Sequence, residues 1–185
     1  DPNILLPDNK VCLRLPGIDG KAKMSKSLNN CIYLSDREAD VKQKIMSMFT
    51  DPGHLRVQDP GKVEGNPVFI YLEAFCRDEH FERYCPDYQN LQEMEEHYAR
   101  GGLGDVKVKK FLNNVMQEEL EPIRKRRKEF EKDIPEIYRI LKEGSEAAEA
   151  EAARTLSEVK NAMKINYFED QALIQEQAER FASDK

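Results

Sequence analysis

Asp19-Gly20-Lys21-Ala22-Lys23-Met24-Ser25-Lys26-Ser27-Leu28-Asn29-Asn30 is the stretch around which this chain is organised. It gathers three lysines, two serines, a glycine and two asparagines between two apolar runs, residues 11–15 and 31–34. Such a composition suits a polyanion. Lysine is a compact cationic point charge on a flexible stem. Serine hydroxyls and the free N–H groups of a loop bind phosphate oxygens. Lys23 and Lys26 stand three apart, so a single turn can set both ammonium groups beside one triphosphate. An ordinary solvated lysine loop is the bland alternative.

The order Lys23-Met24-Ser25-Lys26-Ser27 separates the two readings. It matches the KMSKS signature of class I aminoacyl-tRNA synthetases, and five fixed letters are far more specific than a lone glycine pattern. The flanks, Leu15-Pro16-Gly17-Ile18-Asp19-Gly20 and Asn30-Cys31-Ile32-Tyr33-Leu34-Ser35-Asp36, resemble the corresponding segment of bacterial-type tryptophanyl-tRNA synthetases. Members of that family often place one residue between the Asp-Gly pair and the first motif lysine. Here Lys21 and Ala22 both stand there, so a longer loop entry is expected.

Working outward, residues 1–10 are rich in Pro and Asp, with Ile4, Leu5 and Leu6 as their apolar patch. Asp1-Pro2-Asn3 lacks Met, so an internal cut is expected there. Residues 11–15 read as a short strand leading into the loop. Beyond the loop, Ser35 and Glu38 have capping-box spacing with Asp36 in the first turn, which predicts a helix. Val41, Ile45, Met48 and Phe49 share one face of it. Thr50-Asp51-Pro52-Gly53 ends it, and residues 54–66 are turn chemistry. Asn66 caps a further helix with Pro67 at its first position. A polar region extends to Asp87, and residues 88–100 form a helix lined by Leu91, Met94 and Tyr98. Gly101-Gly102-Leu103-Gly104 breaks it.

Asp105 is expected to cap the longest helix, with Val108, Phe111, Leu112, Val115, Met116, Leu120 and Ile123 at helical spacing. Pro122 should kink or divide it. Ile134-Pro135-Glu136 opens another helix that Gly144 stops. Ser145 caps the next, whose Ala148, Ala152, Leu156, Val159 and Met163 should face inward. From Asn166 the tail is partly amphipathic, and Leu173, Ile174, Ala178 and Phe181 make one marginal helix. The predicted fold class is mainly α: a helical bundle of five or six helices, with a short β/loop segment beside the motif.

Composition narrows the setting. Of 185 residues, 39% are hydrophobic and 35% charged, enough for a sizeable core in a charge-rich chain. No apolar run approaches the ~20 residues that span a bilayer, and no signal-peptide pattern opens the chain, so a cytoplasmic protein is expected. The net charge of −6 argues against indiscriminate nucleic-acid binding but leaves room for a local basic patch. Cys12, Cys31, Cys76 and Cys85 form no C-x-x-C pair, and His54, His80 and His97 share no ligand spacing with them. Free thiols in a reducing compartment are expected and no metal site is read. The spacing also differs from that of tryptophanyl enzymes that carry an iron–sulfur site.

The family resemblance runs in order over about residues 11–165. Thr50-Asp51-Pro52, Asp59-Pro60-Gly61 and Asn66-Pro67-Val68-Phe69 look like its linker into a helical domain. Gly102-Leu103-Gly104-Asp105 with Lys107, Lys109 and Lys110 looks like the start of its anticodon-binding helices. Leu120-Glu121-Pro122-Ile123-Arg124-Lys125-Arg126-Arg127 is similar to a recurrent stretch in their middle, and residues 155–163 resemble the closing helix. The tyrosyl branch shares the motif but not the Gly-Leu-Gly-Asp segment.

The resemblance implies the C-terminal part of a tryptophan–tRNA ligase, without the nucleotide-binding half that bears the HIGH-type signature, and inactive alone. Residues 1–50 would carry the motif loop at the edge of a Rossmann-like catalytic domain, 51–165 the anticodon-binding helices, and 166–185 a tail. Lys23 and Lys26 would be catalytic, and Lys23, Met24, Ser25, Lys26 and Ser27 would hold ATP, with Mg²⁺ accompanying the nucleotide. Tryptophan and tRNA(Trp) would be the other substrates, and the full enzyme a homodimer. The competing readings are a non-catalytic RNA- or protein-binding module of a synthetase-like paralogue, a tyrosyl-tRNA synthetase fragment, and a plain helical interaction protein.

Outside the motif the basic residues stand evenly between RNA contact and a solvated, salt-bridged helix face. The basic run 124–128 spreads around a helix, and Glu118, Glu119 and Glu121 stand close enough to pair with some of it. Lys107, Lys109 and Lys110 open the same region. Tyr84, Tyr88 and Tyr98 can stack on unpaired bases, although packing is the commoner fate of tyrosines on helices. Asp36, Asp51, Asp59 and Asp105 are assigned capping and turn roles.

Overall fold

The computed structural model describes residues 4–183. The first three residues, where the internal cut is expected, lie outside them. Seven α-helices follow in order: α1 (Glu38–Met46), α2 (Pro67–Phe75), α3 (Asp78–Tyr84), α4 (Leu91–Arg100), α5 (Asp105–Phe130), α6 (Ile134–Met163) and α7 (Gln171–Ser183). The chain forms two compact units, residues 1–128 and 129–185, with the boundary in the last turn of α5.

The first unit holds the hydrophobic core. Val41, Ile45 and Met48 meet Val68, Phe69, Tyr71 and Leu72 of α2 and the inward stripe of α5, from Val108 to Leu120. Each such side chain taken fully from water contributes about 1.5–3 kcal/mol before the cost of ordering it. Tyr98 is fully buried at the centre of the α4 side. Its hydroxyl donates to Asp105 Oδ1 at 2.7 Å, its carbonyl accepts from the Gly61 N–H at 3.0 Å, and its ring stacks on His54 with centroids 4.7 Å apart. Gly61 lies against that ring: a Cβ there would come within 2.2 Å of Tyr98 Cε1.

The mainly α class stands, and several local expectations are corrected. Residues 11–15 make no strand. Lys10–Leu13 form a 3₁₀ turn because the Asn9 side chain accepts from the Val11 N–H, and the β element reduces to one antiparallel bridge between Pro16 and Lys23. Ser35 does not cap α1. Asp36 builds that corner instead, accepting from the Tyr33 N–H at 2.8 Å and from Lys44 Nζ at 2.5 Å, and the helix begins at Glu38 without a side-chain cap. Asn66 caps α2 as expected, accepting from the Val68 N–H. Within residues 77–87 stands a whole helix, α3, that the polar composition gave no reason to expect. His80 Nδ1 accepts from the Arg77 N–H at 3.0 Å, and Phe81 packs on Phe111 with centroids 4.6 Å apart. Asp105 starts α5 but spends its carboxylate on Tyr98.

Pro122 does not divide α5. It stands on the exposed side of the helix, which runs on to Phe130. In the second unit α6, not α5, is the longest helix, and it runs straight through Gly144 and Ser145. Strong helix formers follow Gly144, and Lys142 pairs with Glu146 across it, which outweighs the ~1 kcal/mol that a mid-helix glycine costs. Arg139 bonds Glu136 and Glu143, and Arg154 bonds Glu151 and Glu158, in the same i,i+3 and i,i+4 manner. Leu156, Val159 and Met163 are exposed rather than inward-facing. The unit closes with α7, where the Asp170 carboxylate accepts from the Leu173 N–H.

Candidate functional site

The motif loop is held by one asparagine. The Asn30 side-chain oxygen accepts from the Ser25 N–H at 2.8 Å, while its Nδ2 donates to the Lys23 carbonyl and to both Asp19 oxygens at 3.3 Å. Its backbone carbonyl accepts from the Ile18 N–H at 2.9 Å. Asn30 is 2% exposed, so each of these bonds replaces one to water. Asp19 also accepts from the Lys21 N–H, and that bond, helped by Asn30, holds its carboxyl below the ordinary carboxylate value.

The loop turns over in two places. Gly17 N–H donates to the Ala22 carbonyl at 2.7 Å and Gly20 adopts φ +66, closing the entry that carries Lys21 and Ala22. At the far end a 3₁₀ turn, Lys26–Leu28, is closed by Asn29 at φ 51, in the left-handed region that asparagine tolerates. Two anchors tie the entry to the core. Tyr71 of α2 donates its hydroxyl to the Pro16 carbonyl at 2.8 Å, and the Phe49 N–H donates to the Ile18 carbonyl at 2.8 Å.

The five motif residues do not all point one way. Met24 packs against the core, half-buried. Ser25 and Ser27 bond to each other through their hydroxyls at 2.8 Å. Lys23, fixed by the bridge to Pro16, lines a cavity of about 670 Å³ between the loop entry and α2. Lys26 is exposed and lies outside that cavity. Neither lysine makes an ion pair with the described residues, so both ammonium groups are available to an anion. Sequence reasoning missed Asn30, Asp19, Gly17 and Tyr71 as the loop's supports. The only signal was an asparagine pair at the loop's end, with nothing to say which of the two turns inward.

The basic residues downstream divide by partner. Lys109 is 8% exposed and faces inward, donating to the Met48 carbonyl at 2.7 Å and the Met46 carbonyl at 3.2 Å. It therefore closes the C-terminal end of α1, and burial pushes its ammonium pKa down. Lys107 pairs with Asp87 at 2.6 Å. Arg124 is held by Glu121 and by the Gln117 side chain at 2.8 Å. Lys110, Arg126 and Lys128 stay exposed. Tyr88 and Tyr98 are packed in the core, whereas Tyr84 is part-exposed and donates to Glu118 at 2.8 Å. Asp51 makes the turn expected of it, accepting from the Gly53 and Lys62 N–H groups. The four cysteines are unpaired, with Cys31 and Cys85 buried. Burial raises the Cys76 thiol to about 12. Among the described residues no cluster of three or more His, Cys, Asp or Glu is placed to hold a metal, and no helix is long and apolar enough to cross a membrane.

Residues 2–121, with the motif loop and the core that anchors it, match the family model for class I tRNA synthetases (W and Y). This chain belongs to that family. Among its relatives within the class I tRNA synthetases, the tryptophan–tRNA ligase of Clostridium longisporum is 60% identical over 168 residues, covering 91% of this chain and 46% of the relative. That of Streptococcus pyogenes serotype M3 is 54% identical over the same length, covering 47% of the relative. The chain thus spans about half the length of the curated synthetases it matches. The fold is shared with the tryptophanyl-tRNA synthetase of Campylobacter jejuni solved with ADP and tryptophan, at TM-score 0.62 and 24% identity over 82% of this chain and 43% of that one. A second structure of the Campylobacter enzyme gives TM-score 0.61 at 25% identity, covering 80% and 44%.

Proposed function

We propose that this chain is the C-terminal part of a tryptophan–tRNA ligase, which activates tryptophan with ATP and transfers it to tRNA(Trp). Residues 1–50 bring the motif loop to the catalytic half, 51–165 read the anticodon, and 166–185 form the tail. The observation that carries the reading is the intact Lys23–Ser27 motif on a loop braced by Asn30, in a chain 60% identical to a tryptophan–tRNA ligase. Two unpaired ammonium groups on one braced loop suit a transferring phosphoryl group. Charge shifts onto the departing pyrophosphate as the amino-acid carboxylate attacks the α-phosphate, and fixed cations that meet it there lower the barrier. The bond between Ser25 and Ser27 keeps the turn in shape until phosphate oxygens compete for those hydroxyls.

In this reading Lys23 and Lys26 are the catalytic residues, and Met24, Ser25 and Ser27 complete the nucleotide contact. ATP arrives with Mg²⁺. The complete enzyme works as a homodimer in the cytoplasm, and the chain alone lacks activity because the other half supplies the amino-acid pocket. The test is Lys26→Ala in the complete enzyme, with single-turnover adenylate formation and tryptophan binding measured together. Adenylate formation should slow by the equivalent of ~2.7–4 kcal/mol, with tryptophan affinity retained. An unchanged rate would remove Lys26 from the chemistry. Tryptophan-dependent ATP–pyrophosphate exchange by the isolated chain would disprove the missing-half reading.

A further inference from the structure

We propose that Lys10, Arg14 and Lys21 join Lys23 in a phosphate-binding groove on the flank of the motif loop, separate from the turn that carries Lys26. The groove is the cavity of about 670 Å³ described above, with Ile70 and Glu73 of α2 on its opposite side. Its four cations face a single carboxylate, a net excess of three positive charges. None of the four makes an ion pair within the described residues.

Several cations elsewhere in the first unit are neutralised by a carboxylate. Arg37 pairs with Asp40, Lys44 with Asp36, Arg83 with Glu118, Lys107 with Asp87 and Arg124 with Glu121. What sets the groove apart is the gathering of four unpaired cations on one concave wall beside a single carboxylate. Like charges gathered around a concave, partly apolar wall focus a positive potential and favour an incoming anion.

The groove is built rather than accidental. Three ties hold its first wall to α2: Asn9 Nδ2 donates to the Glu73 carbonyl at 2.9 Å, the Cys12 thiol reaches the Ala74 carbonyl at 3.7 Å, and Tyr71 bonds the Pro16 carbonyl at 2.8 Å. The Asn9-capped 3₁₀ turn sets Lys10 and Arg14 on either end of that wall. The loop entry, closed by the bond between Gly17 and Ala22, supplies Lys21. Arg14 brings a planar fork suited to two phosphate oxygens at once, and the lysines bring point charges.

The shared ligand chemistry is a run of phosphates, either the polyphosphate of a nucleotide or the backbone of single-stranded RNA. Naming phosphate as the anion rests on the functional reading above; the excess of unpaired cations does not.

The test compares the wild-type chain with Lys10→Ala/Arg14→Ala/Lys21→Ala, leaving Lys23 in place. Inorganic tripolyphosphate is titrated by calorimetry. A fluorescein-labelled single-stranded RNA oligonucleotide is titrated by anisotropy at several salt concentrations. The wild type should bind at least one probe, and the triple variant should bind it at least tenfold more weakly. A loss confined to tripolyphosphate assigns the groove to nucleotide phosphates. A loss with RNA, together with a salt slope shallower by roughly 2 (three neutralised phosphates at about 0.7 each), assigns it to the RNA backbone. A wild type that binds neither probe, or a triple variant that matches it on both, overturns the groove. Should the triple variant lose its circular-dichroism signal, Arg14→Glu and Lys21→Glu singly carry the same comparison. Exchange activity of the complete enzyme is scored apart. Exchange without any groove effect removes the groove alone, and groove binding without exchange removes the functional reading alone.

Discussion

Gly17 and Asn30 occupy adjoining space so closely that a Cβ at position 17 would meet Asn30 Nδ2 at 2.1 Å. The missing side chain is what lets the asparagine reach Asp19, Lys23 and Ser25 together. Gly17→Ala should therefore displace Asn30 and destabilise the chain by ~1–3 kcal/mol, the usual range for overpacking. Asn30→Ala, which leaves the Ser25 N–H and the Lys23 carbonyl without their partner, should cost about 1–3 kcal/mol. Urea denaturation followed by circular dichroism measures both, and an unshifted midpoint in either variant would refute the brace.

Lys109 should behave as a structural lysine. Lys109→Met keeps most of the volume but withdraws the donor from the Met46 and Met48 carbonyls. A loss of about 1–3 kcal/mol is expected for those unsatisfied acceptors. In the complete enzyme the same variant should leave the salt dependence of tRNA binding unchanged. A shallower slope would place Lys109 on the RNA after all.

On the proposed function, Lys110, Arg126 and Lys128, exposed on α5, are candidate RNA contacts. Neutralising the three together should weaken tRNA binding across sequences. The slope of log affinity on log salt should fall by roughly 0.7 for each phosphate that no longer meets a cation. Pyrophosphate exchange should be retained. Equal affinity and slope in filter-binding titrations would mean that these side chains only solvate the helix.

The motif loop should loosen in acid. Asp19 has its carboxyl held below the ordinary 3.8, first by the Lys21 amide and then by Asn30. Its stabilising contribution is complete above the unfolded value and disappears as pH falls through the lower folded value. Amide exchange at Lys21 and Ser25, once corrected for its intrinsic pH dependence, should show falling protection below pH 3.8 in the wild type. Asp19→Asn should flatten that change. The same acid response in the variant would assign it to another group.

Gly144 stands in the exposed middle of α6 with open space where its Cβ would lie. Gly144→Ala should raise stability by about 0.5–1 kcal/mol, because alanine loses less backbone freedom on entering a helix. A calorimetric scan that shows a lower midpoint would mean the glycine is needed for packing.

How much of this was written in the sequence depends on the range of the interaction. The Asn66-Pro67 start of α2 and the α5 stripe from Val108 to Leu120 were legible, because caps and 3.6-residue spacing are local signals. The five motif residues were legible as letters, but the divergence of Lys23 and Lys26 was not. It follows from the Pro16–Lys23 bridge, a pairing that spacing alone does not set. Helix α3 hid behind its polar composition, since its stability comes from Phe81 on Phe111 and from Arg83 and Tyr84 on Glu118. Lys109 looked like its neighbours Lys107 and Lys110, and only the fold shows that its position on α5 faces the end of α1. The stop expected at Gly144 failed for the opposite reason: the flanking residues favour helix more strongly than one glycine opposes it.

Tyr98 and Gly61 carry a consequence for variation in this family. The ring leaves no room for any side chain at position 61, and the glycine amide in turn fixes the tyrosine carbonyl. Neither position can drift alone. A smaller residue at 98 opens a void that some larger residue at 61 can fill, while a side chain at 61 demands that the aromatic ring withdraw. The two sites, far apart along the chain, should therefore change together or not at all, as a single heritable unit within the loop-to-helix joint.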